Sequence, residues 1–371
     1  MSTRTPTFPS ASGTTDQIGP AVAQATLADQ LGPAVAEATP TDQPAAVETG
    51  ATPDGRSAPA EAARDDALHT TIGAYAWFEG DYVPFSQANV SIATHAFNYG
   101  TAIFEGIRAY RQADGRLAIL FALEHYRRML RNGRLIRAAV PQSAEDLVQI
   151  TAELLRRNGD ARDQYIRPIL YKSAAAIRLQ LSELGDRICV FTLPMGDYVS
   201  TEGLRVAMSA WQRVNDNAVP ARGKITGSYV NACLAVEDAH AAGYGEAVLL
   251  TSEGHVAEAS SANLFLVSGE EIATPPLSDD VLPGITRGAV MELARDLRYA
   301  VVERKIDRTE LYTADEVFLS GTGVQIAEVA SIDDRPVGDG SSFPVTKALQ
   351  SAYFDAVRGL NRRYSHWLTR V

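Results

Sequence analysis

Apolar and polar positions divide the chain into a polar opening segment and a body in which strand and helix patterns alternate. Residues 1–68 contain no Trp or Tyr and a single Phe, Phe8, but eight of the eighteen prolines. A segment of this composition cannot bury enough apolar surface to offset the entropy that is lost when a chain orders. The pattern therefore predicts a disordered, low-complexity acidic tail over residues 1–68.

This tail also carries an internal repeat and more than half of the net charge. Residues 19–26 recur with one change as residues 32–39, and three arginines against nine acids give −6 of the total −11. Nine acids argue against a transit peptide, and no cationic start precedes an apolar core, so no secretory signal is predicted. A short docking helix is the alternative to a disordered tail.

In the body, short apolar runs and helical spacings predict an α+β (mixed α/β) fold. Strands are predicted at 75–78, 82–85, 117–121, 165–171, 187–193, 204–211, 247–251, 263–267 and 316–320. Helices are predicted at 123–130, 144–157, 225–242 and 285–297. Ser143 is expected to cap the second of these helices. Residues 173–186 are expected to form a loop or broken helix, and residues 257–261 a connecting loop.

The predicted elements fall into two blocks that separate near residue 200. They indicate a small N-terminal α/β domain at 69–196, a connector at 197–203 and a large C-terminal domain at 204–371. Small molecules often bind in the cleft between two such domains, so a site is expected there.

Charge and cysteine content exclude several kinds of partner. The net charge of −11 argues against nucleic acid, and no apolar run approaches the roughly 20 residues of a membrane span. The two cysteines, Cys189 and Cys233, lack metal-ligand spacing, and a reducing cytoplasm fits their use. The expected partners are therefore small molecules, with neither nucleic acid nor a membrane and with no metal site.

One lysine stands out as a candidate for chemistry. The chain has four lysines against thirty arginines, and Lys224 lies between Gly223 and Gly227, five residues before Tyr229. Lysine can lose its proton and form an imine, which arginine cannot do. The glycines would let backbone approach closely, as a bulky ligand beside the amine requires. A solvated lysine in a glycine-rich turn is the alternative, and the pattern of a Walker-type phosphate loop is missing.

Two later loops suit an anion. Leu282–Arg287 places Pro-Gly before a helix, so the amides of Ile285 and Thr286 would lie at the positive end of that helix. Ser320–Gly323 follows a strand and can form a similar backbone nest. With a lysine that forms imines, these loops suggest a phosphorylated aldehyde cofactor.

Pyridoxal phosphate is such a cofactor, and it requires two further groups. A carboxylate opposite the ring nitrogen keeps that nitrogen protonated, and a donor binds the phenolic oxygen. Glu258, which lies in a predicted loop with small neighbours, is the candidate carboxylate. A solvated turn glutamate is the alternative reading of this residue.

Six motifs then point to one family. They are His95–Arg108, Tyr165–Pro168, Pro220–Lys224, Ala257–Phe265, Leu282–Arg287 and Ser320–Gly323. With these motifs in this order, the chain resembles the branched-chain amino acid aminotransferases over residues 72–360. These are class IV pyridoxal-phosphate enzymes, and the resemblance implies the two-domain architecture of PLP fold type IV.

The resemblance implies a role in cofactor binding for each matching residue. Lys224 would form the imine with pyridoxal 5′-phosphate and later move the proton between substrate Cα and the cofactor. Glu258 would pair with the ring nitrogen, and Tyr229 would bind the phenolic oxygen. Arg128 would hold the phosphate together with the amides of Ile285, Thr286 and Thr322.

The resemblance also implies a set of substrate-binding residues. The side-chain pocket would be lined by Tyr99, Phe104, Tyr198 and part of the 173–186 loop. The substrate carboxylate would bind Tyr165 and the backbone of Thr322 and Gly323. Near the pocket would lie Arg108 and Arg167. The chain departs from the family pattern at Ala259, at Ala262 and in the loop at 172–181, which lacks the family's glycines. The first two changes bear on loop packing, and the loop bears on substrate specificity.

The expected function is reversible transamination of L-leucine, L-isoleucine and L-valine with 2-oxoglutarate, in branched-chain amino acid biosynthesis. The resemblance implies a homodimer or a higher homo-oligomer, and a cytoplasmic location is expected from the cysteine content. Two alternatives remain at this point. One is another class IV enzyme, such as a D-amino acid, amine or secondary-metabolite transaminase or an aminodeoxychorismate lyase. The other is a non-catalytic interaction protein whose working part is the acidic tail.

Overall fold

Two β-sheets carry the residues that the computed structural model describes, 72–196 and 203–371. The predicted tail over residues 1–68 lies outside the described residues. So does the predicted connector at 197–203, except for its last residue. Strands and helices are mixed along the described residues, which confirms the predicted fold class.

The first sheet has eight strands, and all its neighbouring strands run antiparallel. They are β1 (Tyr75–Phe78), β2 (Asp81–Pro84), β3 (Ala102–Phe104), β4 (Ile107–Arg111), β5 (Leu117–Leu120), β6 (Gln164–Lys172), β7 (Asp186–Pro194) and β17 (Leu368–Arg370). The order is β17-β5-β4-β6-β7-β1-β2, and β3 also pairs with β6. Since β3 and β4 both lie on β6, the two residues between them, Glu105 and Gly106, run beside the middle of that strand.

The second sheet has nine strands and mixes both pairing directions. They are β8 (Leu204–Gln212), β9 (Glu246–Leu250), β10 (Val256–Ala259), β11 (Asn263–Ser268), β12 (Glu271–Thr274), β13 (Ala300–Glu303), β14 (Glu316–Gly321), β15 (Gln325–Ile332) and β16 (Arg335–Pro336). The order is β10-β9-β8-β15-β14-β11-β12-β13, with β16 on β15. In the β11–β14 ladder Asn263 lies opposite Ser320, so the loop after β14 lies beside the start of β11.

Helices pack on both sheets. They are α1 (His95–Tyr99), α2 (Ala122–Gly133), α3 (Ala144–Asn158), α4 (Tyr229–Ala241), α5 (Ile285–Asp296) and α6 (Pro344–Val357). The predicted cap of α3 is confirmed, because the Ser143 hydroxyl accepts from the Asp146 N–H while the Asp146 carboxylate accepts from the Ser143 N–H. This reciprocal pair satisfies two amides that the helix would otherwise leave without partners.

Apolar faces of the helices close the cores. Met129 of α2 and Leu147 and Leu154 of α3 are fully buried against the first sheet. A second core joins α5 and α6 to the second sheet, where the rings of Phe265 and Phe318 stack with centroids 4.9 Å apart. Tyr110 and Leu120, from the first sheet, belong to this second core as well. The two sheets therefore share buried contacts rather than meeting only at their surfaces.

Most predicted elements are confirmed, and two are wrong in detail. Residues 257–261 were expected to form a loop, but Val256–Ala259 is strand β10, because it pairs antiparallel with β9. The helix expected at 225–242 begins as a 3₁₀ turn at Thr226–Ser228 and becomes α-helical only at Tyr229. No described helix has the length and apolarity to cross a bilayer.

Candidate active site

A cavity of about 410 Å³ gathers most of the predicted site residues. Its lining includes Phe104, Arg128, Tyr165, Arg167, Lys224, Tyr229, Glu258, Ile285, Thr286, Thr322 and Gly323. These residues come from both sheets and the loops beside them, from α2, and from the first turns of α4 and α5. The cavity thus combines an amine, a carboxylate, guanidinium groups and a helix N-terminus in one space.

Lys224 is held by main-chain contacts to the first sheet. Its carbonyl accepts from the Phe104 N–H at 3.0 Å, and Ile225 forms an isolated bridge with Ile103. The Lys224 Nζ donates to the Tyr229 hydroxyl at 2.6 Å and lies 4.7 Å from the centroid of the Phe104 ring. Because Tyr229 begins α4 directly after the 3₁₀ turn, the five-residue spacing brings its hydroxyl back to the amine.

The glycines beside Lys224 do not have the role that the sequence suggested. A Cβ on Gly223 would meet the side chain of Leu135, and a Cβ on Gly227 would press on the backbone of Gly100. The Gly227 N–H also donates to the Gly100 carbonyl at 3.1 Å. The expectation that both glycines make room for a ligand is therefore corrected, since they make room for neighbouring protein.

Glu258 lies buried on β10, where a register shift follows Val256. Its carboxylate receives Arg213 Nη2 at 2.8 Å, Asn263 Nδ2 at 2.9 Å and the Leu282 N–H at 3.1 Å. Burial raises the pKa of Glu258 above its ordinary value, although Arg213, the Leu282 N–H and Lys224 act to lower it. The carboxylate is thus fixed in place and retains affinity for a proton.

The N-terminus of α5 provides free amides at the cavity wall. Gly284 is the N-cap residue and no side chain caps this end. A Cβ on Gly284 would overlap the Asn263 side chain, so the loop before the helix packs closely on β11. The amides at Ile285 and Thr286 therefore remain for an anionic ligand, at the positive end of the helix dipole.

Arg128 reaches the same region from α2. Its Nη1 donates to the Pro283 carbonyl at 2.8 Å, next to the N-cap of α5. Its Nε and Nη2 donate to the two carboxylate oxygens of Glu105 at 2.8 and 2.7 Å, and His125 Nδ1 lies 2.9 Å from the same carboxylate. Sequence reasoning assigned no role to Glu105 or His125. A glutamate inside the apolar run 102–107 was the available signal.

Arg213 and Asn263 were missed in a different way. Asn263 stood inside a motif of the resemblance but received no role, and Arg213 stood in no motif. In the structure each binds the Glu258 carboxylate. Arg213 Nε also donates to the Asp280 carbonyl at 3.1 Å, and Asn263 Nδ2 to the Leu282 carbonyl at 3.0 Å. No local pattern signals the Arg213 contact, which joins segments that are far apart in the chain, whereas Asn263 lies only five residues from Glu258.

Aromatic rings and one arginine form another part of the cavity wall. Arg167 Nη2 donates to the Tyr165 hydroxyl at 2.7 Å, and its guanidinium carbon lies 4.5 Å from the Phe104 ring centroid. Its buried Nε has no hydrogen-bond partner among the described residues. A Cβ on Gly106 would meet the Tyr165 hydroxyl, so glycine is required for this approach. This part of the wall therefore combines aromatic rings with one guanidinium group.

Arg108 does not line this cavity. It is almost fully buried, and its guanidinium donates to four backbone carbonyls. The acceptors are Thr322 at 2.8 Å, Gly323 and Gly196 at 2.9 Å, and Met195 at 3.3 Å. Arg108 therefore holds the loop after β14 from behind, and its predicted substrate contact stays a prediction that this arrangement does not support.

Two other predicted parts of the substrate pocket, Tyr99 and the 173–186 loop, do not line this cavity. Tyr99 lines a second, largely apolar cavity of about 760 Å³ on the surface, and Thr226 lines both cavities. No residue of the 173–186 loop lines the first cavity. Tyr198 lies outside the described residues.

Comparison with known proteins identifies the family. Residues 102–332 match the family model for amino-transferase class IV. A probable branched-chain-amino-acid aminotransferase of Aquifex aeolicus is 46% identical over 300 residues, which cover 80% of this chain and 96% of that protein. The chain belongs to the class IV aminotransferases.

Solved structures of similar proteins agree with this assignment. The branched-chain aminotransferase of Thermoproteus uzoniensis, crystallised with norvaline, has a TM-score of 0.78 and 37% identity, covering 80% of this chain and 99% of that one. The branched-chain amino acid aminotransferase of Thermobaculum terrenum in its PLP form has a TM-score of 0.75 and 33% identity, covering 81% and 98%. The predicted class IV fold and PLP-dependent enzyme are thereby confirmed.

Class IV aminotransferases use pyridoxal 5′-phosphate, so the predicted cofactor is confirmed with the family. The cavity of this enzyme fits that group chemically. It offers the Lys224 amine, the Glu258 carboxylate and the uncapped start of α5. Ser320, near the end of β14, also lines the cavity.

Proposed function

We propose that this enzyme transfers the amino group of branched-chain L-amino acids to 2-oxoglutarate, with Lys224 as the catalytic residue. The contact between Lys224 Nζ and the Tyr229 hydroxyl, 2.6 Å apart inside the cavity, is the observation that carries this proposal. The names of the relatives in Aquifex aeolicus and Escherichia coli support branched-chain substrates. Amino-acid and 2-oxo-acid substrates are small enough for a cavity of about 410 Å³.

Bound pyridoxal phosphate supplies an electron sink for the carbanion that forms at the substrate Cα. In the proposed reaction the Lys224 amine would take the proton from the substrate Cα as a general base and later release it as a general acid. Glu258 would hold the ring nitrogen of the cofactor in its protonated form, and Tyr229 would bind the phenolic oxygen. Arg128 and the amides of α5 would hold the phosphate.

The wall of the cavity supports two kinds of substrate. The rings of Phe104 and Tyr165 give an apolar surface for a leucine, isoleucine or valine side chain. The Arg167 guanidinium, which also lines the cavity, suits the distal carboxylate of 2-oxoglutarate or glutamate, because guanidinium groups bind carboxylates strongly. One pocket would thus accept an apolar chain in one half-reaction and a carboxylate in the other.

We also propose a homodimer, on the basis of apolar side chains around the second cavity. Ile92, Phe97 and Val230 are 83%, 71% and 62% exposed, and Phe97 and Val230 line that cavity beside Tyr99. Contiguous exposed apolar surface of this kind marks a protein interface. Light scattering of the purified protein should give at least twice the chain mass, and a monomer at micromolar concentration would contradict the proposal. The cytoplasmic location and a role for the tail stay predictions from composition.

The half-reaction with a single substrate tests the proposed function. Purified enzyme should show the visible absorption band of the lysine-bound cofactor, and L-leucine, L-isoleucine and L-valine should convert it to the spectrum of pyridoxamine phosphate. Added 2-oxoglutarate should then restore the band. Conversion by D-alanine or aryl amines, without conversion by L-leucine, would instead indicate another class IV reaction.

Lys224→Ala should remove both the band and the conversion, with turnover lower by about 10³-fold or more, because the variant lacks the amine that moves the proton. Lys347→Ala is the matched control, since Lys347 is an exposed lysine on α6 outside the cavity. The control should behave like the unmodified enzyme. A Lys224→Ala variant with normal activity would show that another group does the chemistry.

A further inference from the structure

Glu105 is a fully buried carboxylate that does not line the cavity. It follows β3, and its N–H donates to the Pro168 carbonyl of β6 at 3.0 Å. The residues on either side, Phe104 and Gly106, do line the cavity. Glu105 therefore directs its carboxylate away from the cavity, towards α2, from one short segment that also shapes the cavity wall.

The partner of Glu105 on α2 is Arg128, and the contact is made at two points. Arg128 Nε binds one carboxylate oxygen and Nη2 binds the other, at 2.8 and 2.7 Å. Two parallel hydrogen bonds fix both the position and the plane of a guanidinium group. His125, one turn earlier on α2, lies 2.9 Å from the same carboxylate and keeps it in place.

The donors of Arg128 can be counted. A guanidinium group has five N–H donors, and Arg128 uses two on Glu105 and one on the Pro283 carbonyl. Two N–H groups remain on a side chain that lines the cavity next to the start of α5. Their direction is determined by the plane that Glu105 fixes.

Glu105 is ionised at neutral pH. Burial alone would raise the pKa of Glu105, but Arg128 and His125 lower it to about 2. Arg128 therefore always has a counter-ion on its far side, and its net attraction for an anion is reduced. The Glu105–Arg128 pair therefore helps to bind a phosphate mainly by orienting the two remaining N–H groups of Arg128, and less by supplying positive charge.

We propose that Glu105 is a positioning residue for the cofactor phosphate, because its two-point contact holds Arg128 in the one plane that presents its remaining donors to the cavity. This inference rests on the proposed phosphate contact of Arg128. It adds a second residue to that contact, one that touches neither cofactor nor substrate.

The test compares ligands with and without a phosphate. Pyridoxamine phosphate forms no covalent bond with Lys224, so its dissociation constant reports on the remaining contacts, and pyridoxamine lacks only the phosphate. Glu105→Gln in the full chain should weaken pyridoxamine phosphate by about 10- to 100-fold, as expected for a lost charged hydrogen bond. Binding of pyridoxamine should change less than about two-fold, within ordinary mutational scatter. Equal weakening of both ligands would overturn the proposal.

A second variant separates orientation from charge and guards against misfolding. Glu105→Asp keeps the negative charge but is one methylene shorter, so it cannot keep both contacts in place. The same selective loss of pyridoxamine phosphate is expected. If Glu105→Asp binds like the unmodified enzyme while Glu105→Gln does not, charge and not orientation is responsible, and the proposal fails.

Arg128→Lys distinguishes failure of this inference from failure of the phosphate contact itself. Lysine cannot be held at two points, so adding Glu105→Gln to Arg128→Lys should weaken pyridoxamine phosphate by less than about two-fold more. If Arg128→Lys leaves the preference for the phosphorylated ligand unchanged, the proposed contact of Arg128 is wrong. If Arg128→Lys lowers that preference and Glu105→Gln does not, only the role of Glu105 is wrong.

Asp186→Asn provides the matched structural control. Asp186 pairs with the buried Lys172 at 2.8 Å in the same sheet, and neither residue lines the cavity. Loss of this ion pair should lower the free energy of unfolding without changing the ratio of the two dissociation constants. A changed ratio in this control would mean that general loosening of the sheet explains the effect of Glu105→Gln.

Discussion

Glu105 and Glu258 are both buried glutamates that bind an arginine beside the cavity, yet their surroundings act on the proton in opposite directions. Glu105 receives two N–H groups of Arg128 and one contact from His125, and its pKa is lowered to about 2. Glu258 receives one contact from Arg213, one from the Asn263 amide and one from a backbone N–H. For Glu258 burial prevails, and its pKa is raised.

The difference lies in how many cationic donors meet each carboxylate. A carboxylate held at two points by a guanidinium group is kept as an anion, whereas one held largely by neutral donors keeps proton affinity. The first kind suits a fixed support behind Arg128. The second suits a partner for a protonated ring nitrogen, because the positive charge of that nitrogen would offset the burial that raises the pKa of Glu258. The same residue type thus serves two purposes in one site.

Replacing Glu258 is the strongest test of this contrast. Glu258→Gln should lower kcat by about 10²- to 10³-fold, because an amide cannot keep the ring nitrogen protonated. Its effect on the dissociation constant of pyridoxamine phosphate should be smaller than the effect of Glu105→Gln. Steady-state kinetics with L-leucine and equilibrium dialysis measure the two quantities. If kcat of Glu258→Gln stays within about ten-fold of the unmodified value, the two glutamates do not have the different roles described above.

A substitution at Gly284 tests whether the surroundings of Glu258 can be changed separately from those of Glu105. Its φ of −65° suits alanine, but a Cβ would overlap Asn263, which binds Glu258. Gly284→Ala should therefore displace either Asn263 or the first turn of α5 and weaken pyridoxamine phosphate by about 10-fold, as expected for overpacking.

Gly288→Ala is the control for that substitution. Gly288 lies exposed inside the same helix, and a Cβ there meets nothing within 4 Å. Its replacement should leave binding unchanged and stabilise the fold by about 0.5–1 kcal/mol, the usual gain of alanine over glycine in a helix. Normal binding by Gly284→Ala would show that this close contact is not needed for the site.

The smallest expected effect is the change in the free energy of unfolding at acid pH. The pKa of Glu105 is lowered from 4.5 to about 2, so its ionised form stabilises the fold fully above pH 4.5, and this stability is lost as the pH falls towards 2. The loss from this group should be about 1 kcal/mol at pH 4 relative to pH 7. In Glu105→Gln that part of the pH dependence should disappear. Urea unfolding at both pH values measures it, and an identical pH dependence for the two proteins would contradict the assigned pKa.

Local patterns in the sequence were sufficient to predict elements whose conformation depends on residues close together in the chain. The helix after Ser143 has its cap and its apolar face within one short segment, and both were predicted. Lys224 and Tyr229 were named together through the family resemblance, and the fold brings their side chains into contact. Strand β10 was missed because its small residues show no alternation, and its pairing with β9 decides its conformation.

Contacts between distant segments were not accessible in the same way. The Glu105–Arg128 pair spans 23 residues and joins a strand end to a helix face. Arg108 was predicted to bind the substrate. Its guanidinium N–H groups instead donate to backbone carbonyls, of which the most distant is 215 residues away in the chain. Charged residues in apolar runs indicate that a buried partner exists, but only the folded chain shows which one it is.

The core that contains Tyr110 has a consequence for how the protein unfolds. Tyr110 belongs to the first sheet, but its hydroxyl donates to Gln325 of the second sheet at 3.0 Å and lies 3.4 Å from the Tyr353 hydroxyl of α6. Opening either sheet alone would leave these buried groups exposed to solvent or without partners. We therefore expect residues 72–196 and 203–371 to melt in a single cooperative transition, with amide-exchange protection lost in both at once.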